Sequence, residues 1–225
     1  MHYKVVEIFD SIEGEGKRAG RTATFVRFAG CNLNCTYCDT AYANGNDYQL
    51  MSSDDIINRI KKRNFMRVTL TGGEPLAVPE IEVLIFRLTT IGIEVNIETN
   101  GSIDISTVLD YFQSKAYDPD MQLFFTMDYK LPSSGMTDNM LPGNFTKLRP
   151  WDVLKFVVGS EDDMLHMINY VSKLTSRPQI YIGAVYGSYS LQKIVDAMLN
   201  EPVLKNTNLQ LQLHKIIWDP NERGV

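Results

Sequence analysis

Apolar and polar residues alternate with a period of two at the start of the chain. Residues 3–9 predict a strand. Residues 22–29 predict another, with Phe25, Arg27 and Ala29 on one face and Val26 and Phe28 on the other. Between them Ser11-Ile12-Glu13-Gly14-Glu15-Gly16 reads as a turn, with a second loop to Gly20. The period then lengthens. Ser52 or Ser53 can cap a helix, with Asp54 and Asp55 in its positive first turn. Ile56, Ile57 and Ile60 form its apolar stripe, and Lys61, Lys62 and Arg63 suit its negative end. A strand over 67–70 runs into Thr71-Gly72-Gly73-Glu74-Pro75. Pro79 can open the next helix, where Ile81, Leu84, Ile85 and Leu88 recur at helical spacing and Gly92 is the stop.

The alternation continues to the end. Strands are predicted over 93–97, 123–127, 153–158, 179–185 and 208–214. The first ends in Glu98-Thr99-Asn100-Gly101 and the second in Asp128-Tyr129-Lys130. Helices are predicted over 105–114, after Ser160 (Met164, Met167, Ile168, Val171), and around Leu191, Ile194, Val195 and Met198. Residues 132–150, rich in Pro, Gly, Ser and Asn, predict a long loop of the kind that is often functional. The last strand places Leu209, Leu211 and Leu213 on one side and Gln210, Gln212 and His214 on the other; residues 217–225 read as irregular. About six strand–helix repeats predict an α/β fold, a parallel sheet whose right-handed crossovers curl it toward a barrel. The unusual short sequences all fall at C-terminal ends of strands, the rim where α/β barrels place their chemistry.

Composition narrows the class. The chain has 225 residues and 44% hydrophobic content, enough for one domain over 1–225 with a substantial core. Acidic residues outnumber basic ones by 27 to 22, a formal charge of −5, which argues against nucleic-acid binding. No apolar run reaches the roughly twenty residues of a membrane span, and residues 1–7 lack the apolar core of a signal peptide. An unexported chain with unpaired thiols is expected in a reducing compartment, the cytoplasm.

All three cysteines, Cys31, Cys35 and Cys38, lie on one loop in the spacing Cys-x3-Cys-x2-Cys. Three thiolates can ligate three irons of a [4Fe–4S] cube and leave the fourth open to a small molecule, whereas an electron-transfer cluster takes four. A structural zinc wants four closed ligands, and the histidines are only His2, His166 and His214. Three is also an odd number for disulfides. Thr71–Pro75 is either a tight turn or a place where glycines let backbone approach a ligand; beside a three-thiolate loop the second reading is favoured. Arg27, mid-strand among apolar residues, is either salt-bridged to a neighbouring acid or, the favoured reading, a guanidinium fork aimed at a carboxylate inside the barrel. Glu13 and Glu15 form a solvated acidic turn or a binding loop. On spacing alone Thr40 reads as a cap or turn residue.

Phe-Val-Arg-Phe-Ala-Gly-Cys-Asn-Leu-Asn-Cys-Thr-Tyr-Cys-Asp-Thr at 25–40, followed by Thr-Gly-Gly-Glu-Pro, resembles the radical S-adenosylmethionine (SAM) enzymes. With Ser-Ile-Glu-Gly-Glu-Gly at 11–16, Leu-His-Lys at 213–215 and the final Arg-Gly-Val, nearly the whole chain resembles the 7-carboxy-7-deazaguanine synthase family of queuosine biosynthesis. That resemblance implies a partial, open TIM-like barrel of the radical SAM type. It implies a [4Fe–4S] cluster on Cys31, Cys35 and Cys38, SAM on the open iron, and hydrogen abstraction from 6-carboxy-5,6,7,8-tetrahydropterin. Ring contraction with loss of ammonia follows. It implies Mg2+ at Thr40, the pterin substrate at Ile12, Glu13, Gly14, Arg27 and Thr71, and SAM contacts at Gly73 and at Asp128, Tyr129 and Lys130. The last three stand where family members carry Ser-Pro-Lys. Val225 is expected to reach the site through its carboxylate. A flavodoxin- or ferredoxin-type reductant and a homodimer complete the expectation. The competing readings are a radical SAM glycyl-radical activase and a non-catalytic metal-binding protein.

Overall fold

Strand-forming segments separated by amphipathic helices assemble into a single sheet in the computed structural model, which describes residues 1–119 and 122–225. The strands are β1 (His2–Ile12), β2 (Thr22–Phe28), β3 (Gln49–Ser52), β4 (Arg67–Gly72), β5 (Glu94–Thr99), β6 (Leu123–Tyr129), β7 (Val153–Val158), β8 (Gln179–Ala184) and β9 (Asn208–Leu209). The helices are α1 (Ser53–Arg63), α2 (Ile81–Thr90), α3 (Ser106–Ser114), α4 (Pro142–Lys147), α5 (Glu161–Lys173), α6 (Leu191–Asn200) and α7 (His214–Ile217). The sheet order is β3-β1-β2-β4-β5-β6-β7-β8-β9. β1 pairs antiparallel with β2 and β3, and every pairing from β2 to β9 is parallel. The two edges do not meet, so the sheet curls as an open barrel, as expected.

The strands have two unlike faces. Val68, Leu70, Val95, Ile97, Phe125, Met127, Leu154 and Phe156 are buried in the core with α-helical residues such as Ile56, Ile60, Leu84, Leu88, Phe112 and Met167. At the intervening positions stand Thr69, Thr71, Asn96, Glu98, Thr126, Asp128 and Lys155. A parallel sheet buried on both faces normally reads as an unbroken apolar run. Here the apolar layer lies outside, under the helices, and the lumen is polar.

Local signals explain most boundaries. Ser52 closes a reciprocal capping box with Asp55, and Asn64, left-handed at φ 60°, ends α1. Ser160 caps α5 by accepting from the Asp163 N–H. Some boundaries differ from expectation. β1 runs on through Ile12, because Ser11 and Ile12 still pair with Ala23 and Thr22. β3 and the short α4 were not signalled, the latter lying inside the expected loop 132–150. Pro79 lies outside α2, whose entry is Glu80 in a left-handed conformation. The last strand is two residues long: Gln210 makes one more ladder bond, to Ile182 O, and residues from His214 turn into α7.

The loop 13–21 closes the lower end of the lumen, where the parallel strands begin. Arg18 is buried there, its Nε 2.8 Å from Glu94 Oε1 and its guanidinium stacked 3.8 Å from the Phe124 ring. Each charge is thereby compensated as burial demands.

Candidate active site

Above that floor, at the C-terminal ends of the strands, is a cavity of about 560 Å³. Cys31, Cys35 and Cys38 line it, all as free thiols. The cysteine loop leaves the end of β2 and is fixed by backbone contact with the loop after β4. Gly73 N donates to Phe28 O, and Glu74 N donates to Gly30 O at 2.9 Å. A Cβ at Gly73 would stand 1.8 Å from Gly30 O; one at Gly72, whose φ is +130°, would stand 2.2 Å from Phe28 O. Only glycine permits so close an approach of two backbones. Glu74 is fully buried and accepts from Leu76 N, Thr99 Oγ1 and Asn100 N. Burial lifts its carboxyl to about 6 against those donors. Asn100 in turn reaches Asn32 Oδ1 at 3.0 Å and Cys31 Sγ at 3.7 Å.

The donor set fits a [4Fe–4S] cube. A cube takes one thiolate at each of three separate irons, and the three free thiols of this loop, all bordering one cavity, supply that set. Thr40 precedes a 3-10 turn, but its hydroxyl does not cap it. Instead Oγ1 lies 3.7 Å from Cys38 Sγ and faces the cavity.

Ile12, Gly14, Arg27, Thr71, Gly73, Asp128, Lys130 and Val225 all line the same space. Arg27 is salt-bridged to an acid, the first of its two expected readings. Its Nε pairs with Glu7 at 2.7 Å, while its side chain borders the cavity. Thr71 donates to Glu98 Oε2 at 2.8 Å. Two of the expected site residues, Tyr129 and Glu13, do not border this space. Tyr129 projects from the opposite face of β6 into an aromatic cluster with Phe145, Phe156 and Tyr170, its hydroxyl 3.1 Å from His166 Nε2. Successive strand residues face opposite ways, so it cannot share a ligand with Asp128 and Lys130 through its side chain. Glu13 points into the lumen, 2% exposed, and accepts a hydrogen bond from Thr69 Oγ1. Neither acid of the loop is solvated.

The acid that faces the cavity is Glu15. Lys155 Nζ pairs with it at 2.7 Å, and the side-chain amides of Gln210 and Gln212 donate to it at 3.2 and 2.8 Å. Lys155 also lies 3.6 Å from Asp128, which pairs with Lys130 at 2.8 Å. Burial alone would lift Asp128, but the two ammoniums hold its carboxyl below the usual range. Burial would likewise depress Lys155, but Glu15, Asp128 and Glu98 raise it well above its ordinary value. His214 packs on Gly14, where a Cβ would meet its Nδ1 at 2.4 Å. Burial lowers its pKa, favouring a neutral ring. Glu15 was read as part of an acidic turn or binding loop, whereas Glu98, Lys155, Gln212 and His214 were not expected as site residues. For Glu98 and Lys155 the signal was the row of polar residues at alternate positions of neighbouring strands, Thr69 and Thr71, Asn96 and Glu98, Thr126 and Asp128, and Lys155; for Gln212 and His214 it was the polar side of the expected last strand.

Burial and the nearby Glu98 charge raise Glu13 to about 8. A carboxyl raised on folding favours the native state below its unfolded pKa, and that benefit is lost as pH climbs from there through about 8. Glu13→Gln, neutral throughout, should therefore hold its Tm better than wild type between about pH 5 and 8, each tenfold change in proton affinity being worth ~1.4 kcal/mol. Parallel Tm–pH curves from calorimetry would refute this.

Comparison with known proteins places these features in context. Residues 25–115 match the Radical SAM superfamily model. The chain is 45% identical to 7-carboxy-7-deazaguanine synthase of Clostridium acetobutylicum over 100% of both chains. It is 33% identical to the synthase of Methanospirillum hungatei over 96% of this chain and 86% of the relative. The crystal structure of QueE from Escherichia coli superposes with TM-score 0.75 at 21% identity, covering 94% of each chain, which speaks for the fold.

Proposed function

The chain belongs to the 7-carboxy-7-deazaguanine synthase family of the radical SAM superfamily, and from that premise we propose how its own residues carry the ring contraction of 6-carboxy-5,6,7,8-tetrahydropterin. The observation that carries the reading is the shared cavity, which three free thiols and Arg27 border together with polar residues of the lumen. When bound, the cluster and SAM supply the electron and the adenosyl radical that abstracts hydrogen, the hard chemistry being the cofactor's.

Cys31, Cys35 and Cys38 hold the irons, and the Gly72–Gly73 backbone contact fixes their loop. Gly73, Asp128 and Lys130 border the space for SAM, with Tyr129 limited to its backbone. Ile12 and Gly14 pack against the pterin, and Arg27 takes its carboxylate. Glu15, Glu98 and Thr71 present polar groups to ring nitrogens and exocyclic groups; Glu15 is held in place by Lys155 and two glutamines. Thr40 offers a hydroxyl to Mg2+, which takes oxygen ligands from protein and substrate alike. Pro220 to Val225 cover one side of the cavity and shield it from water.

Exposed aliphatic residues Leu199, Val203, Leu209, Leu211, Ile216 and Ile217 support a homodimer through the β9 edge. A flavodoxin- or ferredoxin-type reductant and a cytoplasmic location follow from the reaction, which needs a low-potential electron and reduced thiols. Among the described residues no helix is long and apolar enough to cross a membrane.

Anaerobically reconstituted protein, reduced and given SAM with the carboxylated tetrahydropterin, should form 7-carboxy-7-deazaguanine, read by its absorbance. SAM cleavage without that product would point to another radical SAM reaction. No cleavage at all would point to a non-catalytic metal protein.

A further inference from the structure

Glu7 stands on β1 opposite Arg27 of β2 in the antiparallel register. One of its oxygens, Oε1, accepts from two donors, Arg27 Nε at 2.7 Å and the Tyr42 hydroxyl at 3.0 Å. Tyr42 carries the Arg223 guanidinium over its ring at 4.0 Å. Oε2 faces Gly224, 3.7 Å from where a Cβ there would stand. Arg27, Tyr42 and Arg223 border the cavity, whereas Glu7 lies behind them.

The position of this bond on the guanidinium matters. An arginine can grip a carboxylate side-on, through Nε and one Nη, or end-on, through both Nη groups. Glu7 occupies Nε and so removes the side-on mode. Among the described residues neither Nη of Arg27 meets an acceptor, and the end-on fork is left for a ligand.

We propose that Glu7 is a positioning residue: it turns Arg27 to receive the substrate carboxylate end-on and, through Tyr42 and Arg223, ties that arginine to residues 220–225 at the cavity wall. This rests on the reading that Arg27 binds the substrate carboxylate. It also predicts the direction of the effect. Although Glu7 is an anion near an anion-binding arginine, removing it should weaken substrate binding, because a guanidinium released from its partner samples several rotamers.

The test compares Glu7→Ala, Glu7→Asp and Glu7→Gln in reconstituted protein. Glu7→Ala should raise KM for the carboxylated pterin by about tenfold or more, the scale of one charged hydrogen bond, with kcat nearly unchanged. Glu7→Asp keeps the charge but falls short of Nε, so KM should rise with it. Glu7→Gln keeps an acceptor oxygen and should stay within about threefold of wild type. Equilibrium binding of 6-carboxypterin, followed by its fluorescence, should rank the variants in the same order, while unsubstituted pterin should bind all of them alike. Should Glu7→Ala fail to fold, the Asp and Gln pair decides. An unchanged or lowered KM in Glu7→Asp, or equal losses for pterins with and without the carboxylate, overturns the proposal. Wild-type protein that does not discriminate the two pterins would instead remove the reading of Arg27 itself.

Discussion

Gly73→Ala should leave a folded sheet whose cysteine loop no longer retains iron. The added Cβ would lie 1.8 Å from Gly30 O, 2.2 Å from Gly30 C and 2.7 Å from Cys31 N. All three are backbone atoms, so no side chain can swing aside. The loop must move by an ångström or more, and Cys31 moves with it. Misplacement on that scale costs roughly a hundredfold in rate. Iron and sulfide content after anaerobic reconstitution should fall well below wild type, and SAM cleavage should fall with them. Gly92→Ala is the control. Gly92 has φ +85° but open space around its Cβ position, so this variant should cost only about 1–2 kcal/mol of backbone strain and keep its iron. Full iron content in Gly73→Ala would show that the close approach of the two loops is not what holds the cysteines.

Arg27→Ala should separate two activities that run together in the intact enzyme. Formation of 7-carboxy-7-deazaguanine should lose roughly 10²–10³-fold in kcat/KM, because the substrate carboxylate then loses its cation on β2 and Glu7, left with only the Tyr42 hydroxyl, keeps an uncompensated charge beside it. The cysteines and the residues bordering SAM are untouched, so slow, abortive SAM cleavage should persist. Product and 5′-deoxyadenosine, quantified from the same reaction, give the two numbers. If both fall together, Arg27 supports the β1–β2 pairing and does not serve the substrate.

Local patterns announced much of this molecule. The alternation of strands and amphipathic helices, the capping box at Ser52 and the three-cysteine loop are short-range features, readable without knowing what lies opposite. So was the placement of unusual residues at strand ends. What could not be read depends on partners far along the chain. Positions 13 and 15 look alike in sequence, yet one acid turns to Thr69 in the lumen and the other to Lys155, Gln210 and Gln212 in the cavity. Tyr129 was placed in the site, with Asp128 and Lys130, by resemblance alone, although the strand period puts it on the other face. The end of the chain alternated well enough to suggest a strand over 208–214, but only Tyr181 and Ile182 offer β9 a ladder, and pairing stops early. The polar lumen was a different matter. Thr69 and Thr71, Asn96 and Glu98, Thr126 and Asp128, and Lys155 recur at alternate positions of four consecutive strands. Each strand carries only one or two of them, so the pattern emerges when the four are aligned side by side.

Residues 13–16 meet residues 210–214 through Gly16 N to Gln210 Oε1, Leu213 N to Gly14 O, and the two glutamine bonds to Glu15. During synthesis the first of these segments emerges long before the second. A nascent chain can therefore display its cysteine loop long before a finished pterin chamber exists, and the chamber closes only when the C-terminal segment returns to the first loop. Contacts spanning so much chain form late and all together. A ribosome-bound chain stalled before Gln210 should thus be able to gather iron yet be unable to discriminate a carboxylated pterin.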